Sequence, residues 1–222
     1  ALAEGGASVF VVARRQETLA VVLAALGVGS HNGVASSLSS YADLSKVVDT
    51  FDLQYDRVDI LVNDARSFFA KPFTEIGLDD WDELHARNLR SVVALRQSFG
   101  QRMVQQEYGR VVNLISVMAE RGVINGSAFS STQAGLLSLT RSLAVEWGGH
   151  NIRVNALGTG WTTADDIPLE VQREELLVRY TPLRRKGNPR DIGPLLVYLC
   201  SEACDYSTGQ PVYVDGGLNA HP

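Results

Sequence analysis

The sequence predicts one doubly wound α/β domain with a parallel sheet. Short runs rich in Val and Ile alternate with longer amphipathic segments along the 222 residues. These runs are hydrophobic at nearly every position, which is typical of parallel strands that are covered by helices on both faces. No repeat or low-complexity tract interrupts the alternation, so we expect a single domain over residues 1–222.

The order of strands and helices follows from these patterns. Strands are expected at 7–13, 58–65, 109–117, 152–158 and 209–217. Helices are expected at 16–26, 41–55, 79–106, 127–148, 169–178 and 189–202. The segment 159–188 is the long interruption, rich in Pro, Thr and charged residues. Because ligands of such folds bind at the carboxyl ends of the strands, we interpret this segment as a substrate lid.

The first residues, "ALAEGGASVF", are typical of a helix end, a glycine stop and the next strand. A doubly wound domain first supplies a strand, a Gly-rich turn and the start of that helix, which together take roughly 20 residues. Two alternatives stay open. Those residues precede the printed sequence, or the domain lacks its first strand and leaves backbone groups unpaired.

Composition and charge restrict the possible partners. The formal net charge of −5 gives no broad attraction to nucleic acid or to an anionic membrane. No apolar run reaches the roughly 18 residues of a membrane span. The two cysteines, Cys200 and Cys204, are too few for a disulfide framework and indicate a reduced, cytoplasmic protein. We expect a small-molecule substrate and no metal.

Six segments resemble motifs of the short-chain dehydrogenase/reductase family. They are "DILVNDAR", "HARNLRSVVAL", "GRVVNLISV", "SAFSSTQAG", "NIRVNALGTGW" and "TGQPVYVDGG", and the resemblance covers essentially the whole chain. It implies a Rossmann-like fold, binding of NAD(P), and hydride transfer with Ser, Tyr, Lys and Asn as the catalytic residues.

Two of the four catalytic residues that the resemblance implies are present. Asn88 matches the Asn, and Ser116 matches the Ser that hydrogen-bonds a substrate oxygen. Phe129 stands at the Tyr position, thirteen residues after Ser116, and Gln133 stands at the Lys position. A phenyl ring has no proton to donate, and a neutral amide does not replace the field of a cation. The sequence therefore predicts a divergent member without the family's proton transfer.

The resemblance also implies a nucleotide groove, which this sequence alters in places. Asn63 and Ala65 match residues beside the cofactor. Arg14 and Arg15, just after the second strand of the family, suit the 2′-phosphate of NADP. A solvated strand end is the alternative for these two arginines. The expected cofactor is accordingly either none or NADP.

Two further residues are candidates for substrate binding. Arg66 replaces a family glycine, and we expect it to bind an anionic group; a surface position is the alternative. Trp161 begins the lid and is expected to line the substrate pocket or to pack. Arg90 and Arg96, on the long helix after Asn88, are expected to face an interface or solvent.

Three functions stay open at this point. The favoured hypothesis is a non-redox enzyme that performs elimination, cyclisation, isomerisation or hydration, with Asn88, Ser116 and Gln133 as hydrogen-bonding groups. One alternative is a non-catalytic ligand-binding or partner protein. The other is an NAD(P)-dependent oxidoreductase with an altered active site. Helices 79–106 and 127–148 resemble the family's dimer interface, so we expect a homodimer or homotetramer.

Overall fold

All strand pairs in the structure are parallel. The computed structural model describes residues 1–38, 40–64 and 66–220. In these residues, two strands form one sheet, β1 (Phe10–Ala13) and β2 (Asn32–Ala35). Four more form a second sheet in the order β3 (Ile60–Asn63), β4 (Gly109–Ser116), β5 (Ile152–Thr159) and β6 (Pro211–Val214).

Helices connect successive strands, as a parallel sheet requires. They are α1 (Gln16–Ala25), α2 (Tyr41–Asp52), α3 (Leu78–His85), α4 (Ser91–Gln105), α5 (Ser127–Trp147), α6 (Leu169–Gln172), α7 (Leu176–Tyr180) and α8 (Pro189–Leu199). A π-helical turn, Ala86–Arg90, joins α3 to α4. In the part of the chain that the structure describes, every helix is too short or too polar to cross a membrane.

The predicted fold class is confirmed, with three differences in the elements. Strand β2 was not predicted, because its sequence "NGVA" contains two weak strand formers; parallel pairing with β1 over all four residues stabilises it. The predicted helix 79–106 is divided by the π-helical turn. The predicted helix 169–178 is two short helices, α6 and α7.

One hydrophobic core joins the two sheets. Phe51 of α2 lies between Phe10 of β1 and Phe99 of α4, with ring centroids 5.4 Å and 5.1 Å away. The same cluster includes Val111 of β4 and Val154 of β5, so residues of both sheets pack under α2 and α4. The two-stranded sheet is therefore attached to the larger one through side chains, because β1 and β3 are not hydrogen-bonded to each other.

Arg96 is buried in this region, so the expectation that it faces an interface or solvent is wrong. Only 2% of the residue is exposed. Its Nη2 donates to Asn113 Oδ1, whereas Nε and Nη1 have no partner among the described residues. Asn113 also accepts from Asn63 Nδ2 at 3.0 Å and donates to Thr140 Oγ1 at 2.8 Å. Burial without a carboxylate partner lowers the pKa of Arg96 to about 10.

Replacing Arg96 with Met is expected to stabilise the fold. The lowered pKa corresponds to a cost on the order of 3 kcal/mol for keeping the cation buried at neutral pH. A Met side chain fills a similar space without that cost, and Asn113 keeps its bond from Asn63. We expect urea denaturation at pH 7 to give a free energy of unfolding roughly 1–3 kcal/mol higher for Arg96→Met.

The matched control is Arg102→Met on the same helix. Arg102 is partly exposed and forms an ion pair with Asp52, so its loss should lower the free energy of unfolding by less than about 1 kcal/mol. The difference in free energy of unfolding between Arg96→Met and the wild type should shrink as the pH rises through about 10. Above this pH the unfolded wild type binds more protons than the folded wild type, so the stability of the wild type increases with pH. Destabilisation of Arg96→Met by more than about 1 kcal/mol would contradict this account of the buried charge.

Candidate active site

The carboxyl ends of β4 and β5 form the floor of a cleft. Ser116, the last residue of β4, is paired in register with Thr159, the last residue of β5. Both line a cleft of about 290 Å³. Ligand pockets in proteins usually measure roughly 300–1,000 Å³, so this cleft suits a small molecule. Its position agrees with the general rule that ligands of open α/β sheets bind beyond the carboxyl ends of the strands.

Ser116 and Phe129, both predicted as site residues, lie together at this cleft. The Oγ of Ser116 accepts a hydrogen bond from the Met118 amide at 3.2 Å, and its O–H donates to no other described residue. That proton is therefore available to a ligand oxygen. Phe129 forms an apolar wall, edge-on to Phe68 with ring centroids 5.3 Å apart. The helix thus presents an apolar ring, with no polar atom, to this side of the cleft.

Gln133 is completely buried beneath the cleft and does not line it. Its Oε1 accepts a hydrogen bond from the backbone amide of Ser116 at 2.9 Å. Its Nε2 lies 3.4 Å from Thr132 Oγ1. In this arrangement the side-chain amide fixes the end of β4 to α5, and through it the position of Ser116.

Asn88 lies in the π-helical turn, and it is also completely buried. Its Oδ1 accepts from the Ser67 amide at 2.7 Å, and its Nδ2 donates to the Ser67 carbonyl at 2.8 Å. A third bond joins Nδ2 to Thr132 Oγ1 at 3.2 Å. Asn88 therefore holds the segment that follows β3 against α5, with both polar atoms of its side chain engaged.

Arg66 projects from that segment into the cleft. Its Nη1 donates to Thr159 Oγ1 at 3.0 Å, and its Nη2 forms an ion pair with Asp64 at 2.9 Å. The side chain is 28% exposed. A cation thus lies above the end of β5, but a neighbouring carboxylate neutralises much of its charge.

Trp161, the last of the predicted substrate residues, forms part of the cleft wall. Its ring packs in the same apolar cluster as Phe129 and Met118. The indole N–H is buried and has no acceptor among the described residues. Because this N–H is buried, the ring contributes apolar surface to the cleft wall.

A second cation of the cleft was missed by the sequence analysis. Lys186, which is 19% exposed, lines the cleft, and its Nζ lies 2.7 Å from the Glu175 carboxylate. The backbone amide of Lys186 donates to Gln172 Oε1 at 2.7 Å, and Gln172 Nε2 donates to the Ile167 carbonyl at 2.7 Å. All four residues belong to the segment 159–188. The sequence feature that could have indicated them is the set of charged residues in 159–188, the segment expected to lie over the crevice.

The predicted nucleotide residues lie away from this cleft or beneath it. Arg14 and Arg15 are exposed at the carboxyl end of β1, immediately before α1. Neither guanidinium has an ion-pair partner in residues 1–38, 40–64 and 66–220. Asn63 is buried, and its side chain bonds Asn113. Ala65 lies outside the described residues.

Comparison with known proteins gives matches over nearly the whole chain. The family model described as enoyl-(acyl carrier protein) reductase matches residues 1–219. The chain is 33% identical over 224 residues to 3-oxoacyl-(acyl-carrier-protein) reductase FabG of Aquifex aeolicus, covering 98% of this chain and 89% of that protein. It is 30% identical over 190 residues to 2-dehydro-3-deoxy-D-gluconate 5-dehydrogenase of Escherichia coli, covering 81% and 75%.

The fold is likewise shared with solved structures. A gluconate 5-dehydrogenase from Burkholderia cenocepacia, crystallised with NADP and tartrate, superposes with a TM-score of 0.88 at 26% sequence identity. The match covers 100% of this chain and 89% of that structure. The relatives are named as reductases and dehydrogenases, and one of the structures contains the nucleotide itself.

These matches correct the favoured functional hypothesis. A non-redox lyase, cyclase or isomerase is contradicted, because the relatives that match most of the chain are named as reductases and dehydrogenases. The hypothesis was wrong because it gave two side chains, Phe129 and Gln133, more weight than the similarity of the whole chain. The chain belongs to the short-chain dehydrogenase/reductase family.

Proposed function

We propose that the protein is an NAD(P)-dependent oxidoreductase that interconverts an alcohol and a carbonyl group of a small molecule. The observation that carries the proposal is the hydroxyl of Ser116, which has an unused proton at the floor of a small cleft. The reductases and dehydrogenases among the relatives support the same reaction class. Ser116 would hydrogen-bond the substrate oxygen, with the Trp161 ring as part of the wall beside it.

The charges at the end of β1 fit a phosphorylated nucleotide. Arg14 and Arg15 are two cations without carboxylate partners in the described part of the chain, and they precede the positive N-terminal end of α1. Such a pair suits the 2′-phosphate of NADP, because guanidinium groups bind phosphate oxygens in pairs of hydrogen bonds. When bound, the reduced nicotinamide would supply two electrons as a hydride.

We further propose that the family's tyrosine and lysine have been replaced by structural residues. Phe129 preserves the packing of α5, and Gln133 supports the backbone of Ser116. Asn88 would act as a positioning residue, because its side chain bonds both the amide N–H and the carbonyl oxygen of Ser67. The proton needed for carbonyl reduction must then come from another group.

The segment 159–188 would act as the lid of this site within a single domain. It supplies Trp161, Glu175 and Lys186 to the cleft wall. Arg66 and Lys186 are the cationic side chains among the described residues of the cleft, and each is paired with a carboxylate, Asp64 and Glu175, so these charges largely balance. A homodimer or homotetramer in the cytoplasm stays a prediction.

The test of the proposed function is turnover with nucleotide and a defined panel of substrates. Gluconate and 2-dehydro-3-deoxy-D-gluconate would be offered with NAD⁺ or NADP⁺, and a short 3-oxoacyl thioester with NADH or NADPH. We expect turnover in one of these pairs and a loss of kcat of roughly 10²–10³-fold in Ser116→Ala. Ser130→Ala is the matched control, because that hydroxyl has no partner among the described residues. Absence of turnover throughout the panel, together with no nucleotide binding at millimolar concentration, would refute the proposal.

The preference for NADP over NAD is expected to depend on Arg14 and Arg15. Removing two charge-assisted contacts in the double variant Arg14→Ser/Arg15→Ser should raise the Kd for NADPH by about 10–100-fold. The Kd for NADH should stay within twofold, because NADH has no 2′-phosphate. Calorimetry measures both constants, and Arg57→Ser, which removes another exposed arginine, serves as the control. An equal effect on the two nucleotides would show that the arginines do not recognise the 2′-phosphate.

Gln133 is expected to contribute mainly to stability. In Gln133→Leu the buried amide of Ser116 loses its acceptor, which should lower the free energy of unfolding by about 1–3 kcal/mol. Ser130→Ala on the same helix removes a hydroxyl without a described partner and should change that free energy by less than about 0.5 kcal/mol. Urea denaturation of both variants measures the difference. Equal stability of Gln133→Leu and the wild type would contradict a backbone-supporting role.

A further inference from the structure

We propose that Lys186 is the catalytic acid of this protein, the group that gives a proton to the substrate oxygen during carbonyl reduction. The inference rests on the proposed function and identifies a residue of the same site. Phe129 cannot supply a proton, yet the reduced oxygen must receive one. Lys186 Nζ carries three N–H bonds at the edge of the same cleft as Ser116 and Phe129.

The other side chains of the cleft are poorer proton donors. Among the described residues that line it, the hydroxyl and indole groups lose a proton only at very high pH, although they can donate hydrogen bonds. Arginine side chains in general do not release a proton, and the guanidinium of Arg66 already bonds Thr159 and Asp64. The Glu175 carboxylate is paired with an ammonium, and in that ionised form it accepts hydrogen bonds. Lys186 is therefore the lining residue with a transferable proton.

The backbone fixes Lys186 beside the end of β5. Its own amide donates to Gln172 Oε1 at 2.7 Å. The next residue, Gly187, donates its amide to the Trp161 carbonyl at 2.8 Å and accepts from the Thr163 amide at 3.0 Å. The bonds of Gly187 join the residue after Lys186 to the segment that leaves β5, and the amide of Lys186 itself is joined to Gln172 of α6. Lys186 is thus held at the cleft wall, although it lies 27 residues beyond Thr159 in the chain.

Glu175 acts as the positioning residue for this acid. Its carboxylate accepts one N–H of Lys186 at 2.7 Å, which leaves two N–H bonds for a ligand and for water. A carboxylate at that distance fixes the direction of the flexible side chain. The same contact reduces the desolvation cost of the Lys186 cation, whose side chain is only 19% exposed.

Carbonyl reduction is balanced in atoms and electrons when Lys186 supplies the proton. The carbonyl carbon gains a C–H bond with the two electrons delivered as hydride from NADH or NADPH, which is oxidised. The C=O π pair moves onto oxygen, an Nζ–H bond of Lys186 breaks, and an O–H bond forms, so the carbonyl is reduced to an alcohol. Lys186 is left as a neutral amine and regains its proton from water. In the oxidative direction the neutral amine accepts the alcohol proton.

Chemical rescue tests this role directly. In Lys186→Ala, loss of the acid should lower kcat by roughly 10²–10⁴-fold with the panel substrate that the wild type turns over. Added methylammonium should raise the kcat of Lys186→Ala at least tenfold, because a small amine can enter the vacated space. The increase should reach a plateau as the methylammonium concentration rises. Guanidinium should give no rescue, and Lys186→Arg should stay as slow as Lys186→Ala because arginine does not release its proton.

Two controls separate proton transfer from an effect on the lid. Arg179→Ala removes another ion pair of the same segment, to Glu174 at 3.3 Å, and Arg179 does not line the cleft, so kcat should stay within twofold. The Kd for NADPH and the melting temperature of Lys186→Ala should equal those of the wild type, which establishes that the variant is folded and binds nucleotide.

Each outcome decides the assignment of Lys186 as the acid, and the last one decides the oxidoreductase proposal as well. A kcat within threefold of wild type in Lys186→Ala would overturn the assignment of the acid and leave the oxidoreductase proposal intact. Recovery of kcat in Lys186→Arg would also overturn the assignment of the acid, since the positive charge alone would then explain the loss in Lys186→Ala. A loss of kcat in Lys186→Ala without rescue by methylammonium would overturn it too, since an effect on lid closure would then explain that loss. A wild type without turnover on the whole panel and without nucleotide binding at millimolar concentration would overturn both claims together.

Discussion

The in-register ends of β4 and β5 are the constraint on which the candidate site depends. Parallel pairing over eight residues places Ser116 beside Thr159, and every other group of the cleft is positioned relative to this edge. Gln133 fixes the Ser116 backbone to α5, and Asn88 fixes the segment after β3 to the same helix. Buried hydrogen bonds of this kind are costly to break without replacement, so they maintain the geometry at the floor of the cleft.

The two halves of the site differ in physical character. The floor and α5 are buried and held by neutral hydrogen bonds and aromatic packing, with Phe129 forming an apolar wall. The charged groups come from connecting segments, Arg66 after β3 and Lys186 after β5, and each has a carboxylate beside it. A rigid floor combined with charged groups on connecting segments is the common arrangement of binding sites in α/β proteins.

Sequence patterns predicted most of the fold, because hydrophobic runs and amphipathic periods report which faces are buried. They did not predict β2, whose short "NGVA" sequence depends on pairing with β1. They also failed for Arg96, since a single arginine in a helix gives no sign that it points at Asn113 on a neighbouring strand. The contact of Lys186 with the cleft was missed for the same reason. It depends on backbone bonds between residues that are distant in sequence, as from Gly187 to Trp161.

Hydrogen exchange with and without NADPH, followed by mass spectrometry, tests the central claim most directly, because it needs no knowledge of the substrate. The account predicts that NADPH slows exchange in two separate regions. One is the start of α1 after Arg15, and the other is the cleft floor around Ser116 and residues 159–163. Slower exchange in both regions would place the nucleotide between the arginines and the cleft. Unchanged exchange in both regions at millimolar NADPH would contradict an NAD(P)-dependent reaction at this site.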